Sequence, residues 1–412
     1  MTPSRKERRP DATAKWLAIV GIGEDGLIGL GEGARRAIGD AEFVFGGRRH
    51  LQLAQAAIAG EARAWPVPFD VADVLALCGR KVCVLASGDP FNHGVGATLA
   101  RHVAPDEMAV WPAPSAFALA AARLGWPLQE VETISLHGRP IGLLRPLLHP
   151  ATRIVALTSN GAAPASIAAL LARHGFGTSR LTVLECLGGA RERISSFQAG
   201  EFGNFRFDDL NVVAIEVSAS PQAGVIPLAA GLVDDLFEHD GQITKREIRA
   251  VTLSSLAPRR GELLWDIGAG SGSIAIAWML AHPSLRAVAI EADAARAARI
   301  AANAASLGVP GLRVVEGSAP TALDGLPAPD AIFVGGGCSR PDVMQTAIAA
   351  LRQGGRLVAN AVTLEAEASL LSHHARIGGE LIRLALSRAA PLGAMKGWRP
   401  AMPVTQWIWS KP

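Results

Sequence analysis

The sequence predicts an α/β protein built from two unlike halves. Short apolar runs alternate with longer Ala-rich segments along the whole chain, the pattern of strands covered by helices. At 412 residues the chain exceeds one ordinary domain. Each half opens a Gly-rich loop directly after its first strand, and the two loops differ in design. The halves are therefore not a duplication.

In the first half, strands are expected at 17–21, 81–86, 109–111, 153–158, 181–185 and 211–217, each followed by turn-forming residues. The second half supplies strands at 262–267, 287–291, 312–316, 331–335 and 356–360, with two late runs at 380–386 and 403–409. The pattern is that of parallel sheets with helices on their faces. Between the halves, Ser218-Ala219-Ser220-Pro221-Gln222-Ala223-Gly224 has no apolar periodicity. This places a first domain at 16–217, a linker at 218–240 and a second domain at 241–412.

Hydrophobic residues make up 49% of the chain and charged residues 19%, which suits packed domains and excludes disorder. A formal net charge of +3, no Tyr and dispersed Phe and Trp argue against nucleic-acid binding. The basic run Arg5-Lys6-Glu7-Arg8-Arg9 reads as a solvated tail. Cys78, Cys83, Cys186 and Cys338 lack metal-ligand spacing and read as small buried residues of a reducing compartment. No apolar stretch is long enough to span a bilayer and no signal peptide is evident, so a soluble, cytoplasmic protein without a metal is expected.

The sharpest signal is Asp266-Ile267-Gly268-Ala269-Gly270-Ser271-Gly272, between a buried strand and a helix expected at 273–282. Glycines there let a ligand approach the backbone, and the helix N-terminus presents free N–H groups. Glu291 ends the next strand, where a carboxylate can accept bonds from ribose hydroxyls. A dinucleotide site shares this layout, but its third glycine would fall at Ser273. Asp266 before the loop suits the cationic S-adenosylmethionine better than a pyrophosphate. A purely structural Gly turn stays open as an alternative. Asp330-Ala331-Ile332-Phe333-Val334-Gly335-Gly336-Gly337 ends a strand at the same sheet edge, leaving open backbone at Gly335 and Gly336 for substrate, or simply a flexible loop.

Further motifs make the second half recognisable. Thr244-Lys245-Arg246-Glu247 precedes the loop, Glu316-Gly317-Ser318-Ala319-Pro320 follows the third strand, and Asn360-Ala361-Val362-Thr363 the fifth. Together they resemble the precorrin decarboxylating methyltransferases of cobalamin biosynthesis. The resemblance implies a Rossmann-like class I methyltransferase fold with cofactor contacts at Thr244, Gly268, Ala269, Gly270, Ser271, Gly272, Glu291 and Ala319. In the first half, Ala86-Ser87-Gly88-Asp89-Pro90 with Gly94 and Gly96 is similar to the Gly-Asp-Pro motif of the tetrapyrrole methylases. Val20-Gly21-Ile22-Gly23, Ala113-Pro114-Ser115-Ala116-Phe117 and Leu157-Thr158-Ser159-Asn160-Gly161 match further segments of that two-subdomain fold. The resemblance implies cofactor contacts at Gly21, Gly23, Gly88, Asp89, Ser159 and Asn160, and a substrate contact at Ser115. The chain departs from most of that superfamily at Glu24-Asp25-Gly26, where Pro-Gly-Asp is usual. The C5-methylating branch tolerates this form, and Gly46-Gly47-Arg48-Arg49-His50 fits the same branch.

A fusion of the two domain types resembles the decarboxylating C5,15-methyltransferases that act on precorrin-6B. It implies one S-adenosylmethionine site per domain, a tetrapyrrole substrate and a homo-oligomer. Electron-rich meso carbons need alignment with a methyl donor rather than a protein nucleophile. The substrate's carboxylates call for basic residues, and the candidates are Lys245, Arg246, Arg249, Arg340, Lys396 and Arg399, with Arg139 in the first half. Lys245 and Arg246 stand out because they follow Thr244 directly. His137 is positioned to shuttle a proton, with a hydrogen-bonded structural role as the alternative. His93 carries the same ambiguity, and His373-His374 reads as surface. A first domain that only binds tetrapyrrole, and a methyltransferase acting on other substrates, remain competing readings.

Overall fold

The computed structural model describes residues 15–412. The basic run at 5–9 lies outside them. The described chain forms two units: residues 15–139 with 150–223, and residues 140–149 with 224–412.

The first unit contains two sheets. Strands β1 (Leu17–Ile22), β2 (Phe43–Gly46), β3 (Glu61–Ala64), β4 (Val82–Ser87) and β5 (Met108–Trp111) form a parallel sheet of order β3-β2-β4-β1-β5. Alternation explains why β1 is apolar throughout. Leu17 and Ile19 join one core cluster while Val20 and Ile22 join another, so both faces are covered. The second sheet holds β6 (Val131–Ser135), β7 (Arg153–Leu157), β8 (Arg180–Glu185), β9 (Arg193–Gln198) and β10 (Asn211–Glu216), in the order β6-β7-β10-β8-β9. Only β6 and β7 run parallel; the other three pairings are antiparallel. This corrects the expectation of wholly parallel sheets. The apolar pattern reports burial and not direction, and the short 186–192 connection forces β8 and β9 to run antiparallel. The strands not expected, β2, β3, β6 and β9, are short, or carry polar and exposed residues.

The second unit is built on β11 (Leu263–Ile267), β12 (Arg286–Glu291), β13 (Arg313–Glu316), β14 (Ala331–Val334), β15 (Arg356–Ala361), β16 (Glu380–Leu384), β17 (Ser387–Leu392), β18 (Met395–Pro400) and β19 (Val404–Ser410). Its seven-stranded sheet has the order β13-β12-β11-β14-β15-β19-β16, with β19 antiparallel to both neighbours. β17 and β18 form a separate hairpin that presents Leu392, Met395 and Trp398 to solvent. The order reverses at β11 and β14, which opens a crevice at the strands' carboxyl ends. The helix Ser273–Leu280 behind it is apolar on all sides and almost wholly buried.

Four expectations change here. The proposed linker is not free chain from 224 onward: Ile226, Leu232 and Phe237 are buried in the second unit's core, and Glu238 N–H donates to Asn303 Oδ1 at 2.8 Å. Residues 140–149 also belong to that unit, where Arg145 donates to Ser306 O (3.2 Å) and Gly224 O (2.8 Å). His373 is buried and stacks on Trp407 with centroids 5.6 Å apart, because β19 brings an indole under its helix. Of the cysteines, Cys78 is exposed, whereas the other three are buried. Among the described residues, no helix is long and apolar enough to cross a membrane.

Candidate functional sites

In the first unit, the carboxyl ends of β1 and β4 face the β6–β7 side across a cleft of about 820 Å³. Its walls are largely apolar, with Leu85, Phe117, Leu157 and Leu184 among them. Gly21, near the carboxyl end of β1, is not a lining residue but sits where the loops around the cleft meet. A Cβ there would overlap the Gly88 carbonyl oxygen and lie 2.7 Å from Ala113 N, so only glycine lets these loops touch. Gly23, Gly88, Ser115, His137, Arg139 and Ser159 all line the cleft. Ser115 also caps the helix Ala116–Leu124 by accepting from Ala118 N at 3.2 Å.

Asp89 and Asn160 are turn formers rather than lining residues. Asp89 Oδ1 accepts from Phe91 N at 2.8 Å and Asn160 Oδ1 from Ala162 N at 3.0 Å. Their side chains shape the loops that Gly88 and Ser159 present. His137 Nδ1 sits 3.2 Å from Thr158 O, which fixes its ring while leaving it at the cleft surface. Arg139 donates to Ser135 O at 3.3 Å.

Glu24, Arg49 and His50, which in sequence mark only the family branch, come together at the cleft wall. Arg49 pairs with Glu24 and donates from Nη2 to His50 Nε2 (2.8 Å) and Ser87 Oγ (2.9 Å). His50 Nε2 also meets Ser87 Oγ at 2.8 Å. Burial, reinforced by the Arg49 charge, pulls His50 down to about 4, so it stays neutral near pH 7. For Arg49 and His50 the signal legible in sequence is their position just beyond Gly46-Gly47 at the carboxyl end of β2.

In the second unit the expected cofactor residues converge at the carboxyl edge. Gly268 N and Ala269 N donate to Ile290 O at 2.9 and 3.1 Å, tying the loop to β12. Gly268 has φ +73°, and a Cβ there would lie 2.8 Å from Gly336 N. Gly335 and Gly336 reach back to Ile267 O at 3.0 and 3.4 Å, so these glycines allow two loops to abut. Glu291 Oε2 accepts from Gly270 N at 2.8 Å and its Oε1 from Asp293 N at 3.0 Å, so Glu291 orders the loop. Gly317 N donates to Glu291 O at 2.8 Å, which brings the Ser318-Ala319 turn to the same edge. The Thr244 segment adjoins the loop, because a Cβ on Gly270 would sit 3.7 Å from Gln242 O.

Two polar atoms beneath this loop are buried without partners: Asp266 Oδ1 and Ser271 Oγ. Asp266 Oδ2 accepts from Ala275 N at 3.0 Å. Burial pushes the Asp266 carboxyl up to about 7, opposed by that bond and reinforced by the nearby Glu291 charge. The unpartnered Asp266 and Ser271 oxygens beside Gly270, whose own Cβ position is uncrowded, fit a polar ligand such as S-adenosylmethionine at this sheet edge.

The basic candidates divide. Arg249 is fully buried, donating to Thr244 O at 2.5 Å, to Leu232 O and to Asp234 at 3.0 Å. It pins the backbone through Nη1 and Nη2 and is not a substrate clamp, because the whole side chain, including an Nε–H without a partner, is buried inside the fold. Lys245 lies 3.6 Å from Asp234 just before the helix Arg246–Leu256, whose first residue, Arg246, is exposed. Arg340 pairs with Asp342 at 2.8 Å. Lys396 and Arg399 are exposed on the β17–β18 hairpin, where Arg399 faces Arg388.

Comparison with known proteins agrees with the two-part organisation of the chain. A family model described as "Tetrapyrrole (Corrin/Porphyrin) Methylases" matches residues 17–202, and one described as "Precorrin methyltransferase domain" matches residues 235–411. A Sinorhizobium sp. protein named precorrin-6Y C(5,15)-methyltransferase [decarboxylating] is 59% identical over 98% of both chains. A Mycobacterium tuberculosis protein of the same name is 41% identical over 96% of this chain and 100% of its own. A Salmonella typhimurium cobalt-precorrin-6B C(15)-methyltransferase (decarboxylating) is 35% identical over 42% of this chain and 91% of its own. With two unlike glycine loops on one chain and similarity to these relatives over nearly its whole length, the chain belongs to the family of decarboxylating precorrin-6Y C(5,15)-methyltransferases.

Proposed function

We propose that the protein transfers methyl groups from S-adenosylmethionine to C5 and C15 of the tetrapyrrole precorrin-6B and releases the ring C acetate carboxyl as CO₂. C5 methylation falls to the first unit, and C15 methylation with decarboxylation to the second, with one cofactor site in each. The observation that carries this reading is the pair of dissimilar glycine-built sites, Gly21–Gly88 and Gly268–Gly336. Support for the division comes from relatives named for C(15) methylation with decarboxylation alone. They align over 177 residues, too few for both units.

When bound, S-adenosylmethionine supplies an electrophilic methyl group. In the first unit Gly21, Gly23, Gly88 and Ser159 would hold it, with Asp89 and Asn160 shaping the loops. In the second, Thr244, Gly268 to Gly272, Glu291 and Ala319 would do so. The protein's work is then positioning and exclusion of water, since electron-rich carbons attack without a protein nucleophile. Ser115 and Arg139 orient substrate in the first cleft. His137 stands ready to accept the proton that leaves a methylated carbon. Gly335 and Gly336, with Lys245, Arg246 and Arg399, are assigned to the substrate side of the second site, where Lys245 and Arg246 would steer the acetate arm that loses CO₂.

The test is incubation of the full chain with precorrin-6B and labelled S-adenosylmethionine. Two labelled methyl groups and one CO₂ per product are expected. One methyl group with CO₂ release would reduce the first unit to a binding module.

A further inference from the structure

The polar cluster Glu24–Arg49–His50–Ser87 lies in the cleft of the first unit, and the mechanism above gives it no task. Its construction is specific. Glu24 opens the Glu24-Asp25-Gly26 departure from Pro-Gly-Asp, and its carboxylate, only 12% exposed, grips Arg49. His50 and Ser87 take the Nη2 hydrogens. Because His50 Nε2 accepts from Arg49, its proton is assigned to Nδ1, which is buried and has no partner. The ring is therefore a neutral acceptor, and the local positive charge rests on Arg49 alone.

The guanidinium so held still has capacity. Its Nε–H and second Nη1–H have no partner among the described residues, and the side chain remains 35% exposed at the cleft wall. The other charged lining residues are few. Asp209 is spent on Gly161 N at 2.9 Å, and Arg139 has no carboxylate partner among the described residues. A partly desolvated, immobilised guanidinium binds a carboxylate more strongly than a mobile surface one, since ordering is already done and screening is weaker.

We propose that Arg49 binds a carboxylate side arm of the tetrapyrrole in the first cleft, and that Glu24 is the positioning residue that aims it. This rests on the C5 assignment made above. Apolar walls take the macrocycle faces, while Arg49 and Arg139 take the acidic periphery. The Glu24 departure is then a substrate-orienting device and not a loss of function.

The experiment uses the full chain with R49Q, R49K and E24Q. For each, C5 methylation of precorrin-6B is measured for KM and kcat, and S-adenosylhomocysteine binding is titrated by calorimetry. R49Q is expected to raise the C5 KM about tenfold or more, with kcat changed less and cofactor affinity within about twofold. R49K should recover part of the loss, because a point charge replaces a fork. E24Q should raise KM by a smaller factor, leaving Arg49 charged but unaimed. An unchanged KM in R49Q would overturn the proposal. So would a parallel loss of cofactor binding, which would place Arg49 in the cofactor subsite. If R49Q fails to fold, R49K with a KM equal to that of the unmodified protein overturns it alone. Absence of C5 methylation in the unmodified protein would instead sink the functional assignment.

Discussion

Asp266 and His50 show burial moving two proton equilibria in opposite directions. Asp266 is raised from 3.8 to about 7, and His50 lowered from 6.5 to about 4. A carboxyl raised by folding keeps its proton in the native state while the unfolded chain has lost it. Its stability penalty is therefore absent in acid, grows as pH rises from about 4 to 7, and is constant above. D266N keeps an acceptor for Ala275 N and removes the ionisation. Relative to D266N, the unmodified ligand-free protein should lose stability across that window, by a few kcal/mol at most. Denaturant unfolding of both proteins at a series of pH values checks this. Parallel curves would show that Asp266 is not strained by burial.

At the scale of elements, Arg249 joins the helix Arg246–Leu256 to the chain that enters the second unit. Its donors reach Thr244 O, Leu232 O and Asp234, and it lies 4.8 Å over the Phe237 ring. Substituting Met would take this donor from the Thr244 and Leu232 carbonyls and leave Asp234 with Lys245 as its remaining partner. Arg249→Met should cost about 3 kcal/mol or more in unfolding of the second unit. It should also weaken S-adenosylhomocysteine binding there, because the Thr244 segment adjoining the glycine loop loses its anchor. Unfolding curves and calorimetry on the full chain read both effects. Loss of stability with intact affinity would separate the pin from the site. The same element explains a limit of sequence reading. Following Thr244, Lys245 and Arg246 in a basic run, Arg249 looks like a surface cation. One helical turn, however, carries it to the inward face.

For the whole molecule, the proposal of one glycine-built site in each unit predicts separable chemistry. Gly21→Ala places a Cβ against Gly88 O and should close the first site without touching the second. Calorimetric titration of the full chain with S-adenosylhomocysteine should drop from two sites to one. The product with precorrin-6B should then carry a single new methyl group and still lose CO₂. A variant that binds two equivalents would show that the first cleft is not a cofactor site. Loss of both activities with the fold intact would mean that the two steps are obligately coupled.

The glycine loops, most of the long buried strands and the two-part plan were legible in sequence, because local backbone demands and core burial leave residue-type signatures. Gly268-x-Gly270-x-Gly272 after an apolar strand and Ser87-Gly88-Asp89-Pro90 after another each encode a turn that only glycine completes. The tertiary structure decided what depends on partners distant in sequence. It turned β8–β10 antiparallel, drew 224–240 and 140–149 into the second unit, and buried His373 against Trp407. It also turned Asp89 and Asn160 into loop formers and brought Glu24, Arg49, His50 and Ser87 to one point in the cleft. No local pattern carries such pairings, since a side chain's charge, exposure and proton affinity are set by what the fold places beside it.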